Sequence, residues 1–139
     1  MMTEDEAYHE LLSYTMSHSD PRFIHQHVVD AWGAQHAAAD GKAIRLFFSL
    51  AGLYLHQERG FTGRQVQKAH ADLAARSKSW PAFPLPTNRG TITVFDVIAA
   101  PAGVERDRMI EEWGKSVWIA FSDNRDAVIQ LLRRYDVVD

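Results

Sequence analysis

Seven histidines are spread over the 139 residues, and His25, His27 and His36 fall within one short segment together with Asp30. Imidazole changes charge near neutral pH and is the commonest metal ligand, so imidazoles beside a carboxylate can serve either a metal centre or an acid–base pair. If the segment is helical, His25, Val29, Trp32 and His36 share one stripe, while His27 and Asp30 lie a turn apart on another. The helical rise separates His25 from His36 by about 16 Å, too far for both to touch one ion. An ion must then combine one histidine of this segment with groups from other helices, and His56 and Glu58 are the suppliers the sequence offers. The predicted metal set is His36, His56 and Asp30; His25, His27, Gln35 and Glu58 complete the ligand candidates. Three readings of the cluster stand. The groups bind a divalent metal between helices. Alternatively, His36 ends its helix, where the macrodipole favours a cation, and Asp30 is a buried hydrogen-bond acceptor tying helices together. In the third, Asp30 orients His27 as a metal-free acid–base pair, although no activated nucleophile stands beside it.

The remaining composition removes most other chemistry. There is no cysteine, hence no disulfide, thiolate nucleophile, cysteine zinc site or iron–sulfur cluster. No phosphate-binding glycine loop, nucleophile elbow or dinucleotide fingerprint is present. His9-Glu10-Leu11-Leu12-Ser13 begins like a zinc-protease helix but has Ser13 where the second histidine must stand, so His9 and Glu10 are read as surface residues. Net charge is −3, with no global attraction for nucleic acid, yet it is uneven: −6 over residues 1–41, +6 over 42–89 and −3 over 90–139. The basic face formed by Arg64, Lys68 and Lys78, with Arg59, Arg76 and Arg89 nearby, is read as solvated rather than as a phosphate contact, so a nucleic-acid partner is not expected. The acidic start Met-Met-Thr-Glu-Asp-Glu and the lack of any apolar run near the ~18 residues of a membrane span predict a cytoplasmic protein with no membrane segment.

The elements that must position these groups are helical. Thr3 with Glu6 forms a capping box before a helix over about 4–17. Asp20 as N-cap and Pro21 as first residue open a second helix, which carries the histidine segment and closes at Asp40-Gly41. Residues Ala43 to Glu58 are apolar nearly all round, as a central helix with neighbours on several sides must be, and Gly60 stops it. On that helix Ser49, Gly52 and His56 make a polar stripe that can face Gly33 of the second helix at close range, with a cavity lined by Trp32 and Tyr54 beside it. Thr62 and Gln65 cap a fourth helix. Three of the five prolines lie between Trp80 and Gly90, an extended loop. Thr93 with Asp96 caps a short helix over about 94–100; Ile110, Trp113, Val117 and Phe121 mark a long one, and Ser122 or Asp123 caps the last, over about 124–135. Apolar residues make up 46% and charged residues 24%, so 1–139 is expected to be one all-α domain, an irregular bundle of six or seven helices.

Ile24-His25, Val29-Asp30-Ala31-Trp32, Gln35-His36, Glu58-Arg59-Gly60, Trp80-Pro81, Thr93-Val94-Phe95-Asp96-Val97 and Trp113 with Ser116-Val117-Trp118 together resemble a family of small bacterial proteins of unknown function. Its hallmark is V-D-A-x-x-x-Q-H, and the resemblance runs from about Tyr8 to Tyr135. It implies a single helical domain and singles out His25, Asp30, Gln35 and His36. Relatives carry a cysteine-rich N-terminal stretch suited to zinc, which this chain lacks, and a histidine pair where this chain has Asn124-Arg125. The resemblance supplies no reaction. Two expectations follow: a polar His/Asp-lined site between helices that binds a divalent metal or small ligand, or a non-catalytic, protein-interaction module, homodimeric if it pairs with itself, whose buried His and Asp only cross-link helices.

Overall fold

Threonines start three of the helices. Thr3 and Thr62 accept hydrogen bonds from the backbone N–H of Glu6 and Gln65, whose side chains reach back to the threonine N–H, and the Thr93 N–H donates to Asp96 Oδ2 at 2.9 Å. Each satisfies donors that a helix N-terminus leaves unpaired. The computed structural model describes residues 1–17, 20–77 and 79–139; His18, Ser19 and Lys78 of the basic face lie outside them. Among the described residues the helices are α1 (Glu4–Met16), α2 (His25–Gln35), α3 (Ala43–Arg59), α4 (Gly63–Arg76), α5 (Val94–Ala99), α6 (Val104–Ala120) and α7 (Arg125–Arg134), with a 3-10 turn at Ser122–Asn124 and no strand. The protein is all-α.

α2 begins four residues later than Asp20-Pro21 predicts. Asp20 does cap, its carboxylate accepting the N–H groups of Arg22 and Ile24 at 3.0 Å, but Phe23 sits at φ +58°. A left-handed residue cannot continue a right-handed helix, so residues 20–24 form a turn that holds α2 back to His25. α2 also stops early, at Gln35. Arg89 reaches in from the proline-rich loop, and its Nη1 donates to the carbonyls of Ala34, Gln35 and Ala37, satisfying acceptors that helix continuation would otherwise use.

α3 is buried along most of its length, through Leu46, Phe47, Leu50, Leu53 and Leu55 among others, and packs against α2, α4, α6 and α7. Left-handed Gly60 (φ +72°) ends it, and the Phe61 N–H returns to the Leu55 carbonyl at 3.0 Å, a helix stop suited to glycine. α6 crosses α2 and α3 and inserts Trp113, fully buried. The Trp113 indole N–H donates to Gln35 Oε1 at 2.9 Å, and Gln35 Nε2 donates to the Ile92 carbonyl at 2.7 Å. Gln35 thus joins α2, α6 and the loop. Gln35→Ala leaves the indole N–H and a loop carbonyl without partners; the expected loss is about 1–3 kcal/mol, read as a lower urea midpoint, and an unchanged midpoint contradicts it.

Candidate metal centre

Helices α2 and α3 approach each other along a line of small and polar residues. Gly33 faces Ser49 so closely that a methyl group in its place would overlap the hydroxyl, and Gly52 faces the Asp30 carboxyl in the same way. One turn further, the imidazoles of His27 and His56 stack with centroids 3.5 Å apart and planes 17° from parallel. The two missing side chains let the helices come close enough for that stack.

His56 is aimed by the chain reversal at Gly60. The Phe61 carbonyl lies 2.7 Å from His56 Nδ1 and fixes that nitrogen as donor, which turns Nε2 toward Glu111 Oε1, 2.6 Å away. A backbone carbonyl on one ring nitrogen is the usual way to orient the other toward a metal. Glu111 comes from α6, which gets close to α3 because Gly114, one turn on, rests against Gln57 and Leu53. His27 is 5% exposed, and neither of its ring nitrogens makes a hydrogen bond to a described residue.

The electrostatics suit ligation by His27 and Glu111, whereas the proton that His56 shares with Glu111 is one an ion must displace. Burial, followed by the neighbouring His56 charge, drives the His27 pKa down to about 4, so its ring is neutral with a lone pair free at pH 7. Burial opposes charge on His56 as well, but the Glu111 carboxylate and the Phe61 carbonyl outweigh it and raise the pKa. The hydrogen bond from His56 outweighs burial at Glu111 and lowers its pKa, keeping the half-exposed carboxylate ionised. One ligand atom from each of His27, His56 and Glu111 lies within 4.8 Å of the others. Donors around a tetrahedral zinc stand roughly 3.4 Å apart, so the three atoms lie within reach of one ion once the two stacked rings, whose lone pairs lie in nearly parallel planes, turn toward it. The group lines a cleft of about 1060 Å³ between the turn before α2, the start of α4 and α6.

Among the described residues His36, Asp30 and His56 do not come together as one ligand set, because the first two are taken by partners from other turns and helices. His36 stacks on Trp32, itself stacked on Tyr8, and pairs with Glu4 of α1. Glu58 accepts both prongs of Arg125 and the Trp118 indole N–H at 2.7 Å. His25 Nδ1 lies 2.9 Å from Thr15 Oγ1. Gln35 is consumed as described above. Asp30 does not orient His27: its Oδ1 accepts from Gln26 at 3.1 Å, and its Oδ2, against Gly52, has no partner among the described residues. Trp32 lines a second cavity, on the Asp30 side, whereas Tyr54 is buried against Trp118.

Burial raises the Asp30 pKa well above the ordinary carboxyl value near 3.8, only partly opposed by the Gln26 hydrogen bond. The group is then protonated in the fold under conditions where the unfolded chain ionises it, so its contribution to stability is full below pH 3.8 and is lost as pH rises toward its folded pKa. Wild-type stability should fall relative to Asp30→Asn between pH 4 and 8. Parallel urea midpoints across that range would contradict a neutral buried Asp30.

Glu111 is the residue that sequence reading missed. It sits in an acid-rich helix where Glu105, Asp107 and Glu112 look the same. The available signal was Gly114: a glycine inside a strongly periodic helix marks a close approach, and the carboxylate one turn before it is carried to the neighbouring helix.

The chain belongs to a family of unknown function (DUF5946), whose profile matches residues 5–122. His27, His56 and Glu111 all fall within that span. No curated protein and no solved structure matches the chain.

Proposed function

For a member of a family of unknown function the site itself has to carry the reading, and we propose that this chain binds one divalent transition-metal ion through His27, His56 and Glu111 and uses it in metal-assisted hydrolysis. The observation that supports this most is the convergence of three ligand atoms within 4.8 Å, at the wall of an open cleft. Two imidazoles and one carboxylate form the donor set of catalytic zinc and of non-haem iron, and three protein ligands leave positions for water and substrate. A bound ion supplies Lewis acidity and a water whose pKa lies near neutrality. The chain's part is to hold His56 in one tautomer through Phe61, keep His27 neutral by burial and keep Glu111 ionised. The proposal places the protein in the cytoplasm, consistent with its lack of cysteine and with the absence, among the described residues, of a helix long and apolar enough to cross a membrane.

Elemental analysis of protein purified without a histidine tag tests this. About one equivalent of zinc, iron, manganese or nickel per chain is expected. A protein that is empty and takes up none of these ions overturns the reading and favours a non-catalytic interaction module, in which Gln35, His36 and Glu58 cross-link helices as observed.

A further inference from the structure

We infer that the cleft holds a phosphate group of a phosphorylated small molecule against the metal, with Arg22 and Arg108 taking its oxygens. This rests on the metal centre proposed above and adds the chemical class of its ligand. Both arginines line the same cleft as His27, His56 and Glu111. The acids there are already committed: Asp20 accepts two backbone N–H groups, Asp107 accepts the Tyr14 hydroxyl at 2.7 Å, and Glu111 is held by His56. By contrast, neither guanidinium makes a hydrogen bond or ion pair with a described residue, and the charge of Arg22 reaches both His56 and Glu111. Arg22 and Arg108 are therefore the cleft's two guanidinium groups without a hydrogen bond or ion pair among the described residues, beside carboxylates that keep their charge while accepting the hydrogen bonds named above.

Arg22 is also mounted with unusual firmness for an exposed residue. Its N–H is held by Asp20, and its carbonyl accepts the Gly63 N–H at 2.6 Å. The next residue, Phe23, is left-handed, with its ring under the Arg64 guanidinium, 4.2 Å from centroid to Cζ. A side chain at Gly63 would overlap the Phe23 carbonyl, so glycine is needed for this junction. Strain kept in a loop beside a cleft is characteristic of ligand-holding segments. Arg108 stands one turn before Glu111 on α6 and shares its face. A guanidinium binds two oxygens in a fork. A carboxylate has two oxygens in all, whereas a phosphate monoester has three non-bridging ones, enough for the ion and both arginines.

Calorimetric titration of the zinc-loaded protein with inorganic phosphate tests this, with zinc affinity measured in parallel by competition with a chromophoric chelator. One phosphate per chain is expected, and Arg22→Ala and Arg108→Ala should each weaken it about tenfold or more while zinc affinity stays unchanged. Zinc-loaded protein that binds no phosphate, binds malonate as tightly, or binds phosphate equally well in the double arginine variant overturns the phosphate inference and leaves the metal centre standing. A protein that takes up no zinc removes the metal centre, and this inference with it.

Discussion

Loading the protein with zinc at about 100 times its dissociation constant should stabilise the fold by about 2.7 kcal/mol, a rise of roughly 10 °C in melting temperature for a chain of this size. The increment would come from mass action, an ion at the proposed site binding the folded chain and not the unfolded one. His27→Ala, His56→Ala and Glu111→Gln should each abolish most of the rise. Removing a group that merely orients a ligand costs ~10–100-fold in affinity, and removing a ligand costs more. His36→Ala should retain the rise in full, because His36 is occupied at the α1–α2 contact by Trp32 and Glu4. The pair His36→Ala and Glu111→Gln therefore separates the ligand set expected from sequence from the one assembled in three dimensions. A rise that survives Glu111→Gln and vanishes in His36→Ala would refute the centre described above.

The second large effect is expected at Gly52. Its missing side chain leaves room for the Asp30 carboxyl, so Gly52→Ala must push α2 and α3 apart or twist Asp30 from its place. Overpacking of this kind costs about 1–3 kcal/mol, and because the His27–His56 stack lies along the same contact, zinc affinity should fall with it. Asp30→Ala removes the obstructing atoms. In that background Gly52→Ala should cost far less, with a coupling of about 0.5–3 kcal/mol between the two sites. Equal costs in both backgrounds would mean that the contact does not carry the effect.

These two experiments mark where sequence was sufficient and where it was not. The helices were legible because their signals are local: the threonine caps of α1, α4 and α5 act within four residues, and the stop at Gly60 is a single backbone conformation. The stripe of Ser49, Gly52 and His56 was legible for a related reason, since periodicity alone puts those residues on one side of α3. The start of α2 was not, because Asp20-Pro21 looks the same whether a helix or a turn follows, and the left-handed state of Phe23 depends on Gly63 from another element. At the site, His27 and His56 were recognisable as ligand types. Their third partner was not, because Glu111 is supplied by the packing of α6, 55 residues from His56. The same ignorance of long-range pairing hid Glu4 as the partner of His36 and Arg125 as the partner of Glu58, whereas the Asp30 contact is local, from Gln26 one turn away to Oδ1 alone.

The facing pairs Gly33–Ser49, Asp30–Gly52 and His27–His56 follow one another at helical intervals, so together they behave as the teeth of a key. Sliding α2 along α3 by one turn, about 5.4 Å, would bring the Asp30 carboxyl against Ser49 or His56 and would unseat every pair at once. In the observed register each glycine leaves room for the polar side chain that faces it. The spacing of the two imidazoles is thus set by glycines and a buried acid, and their alignment is decided when the helices dock.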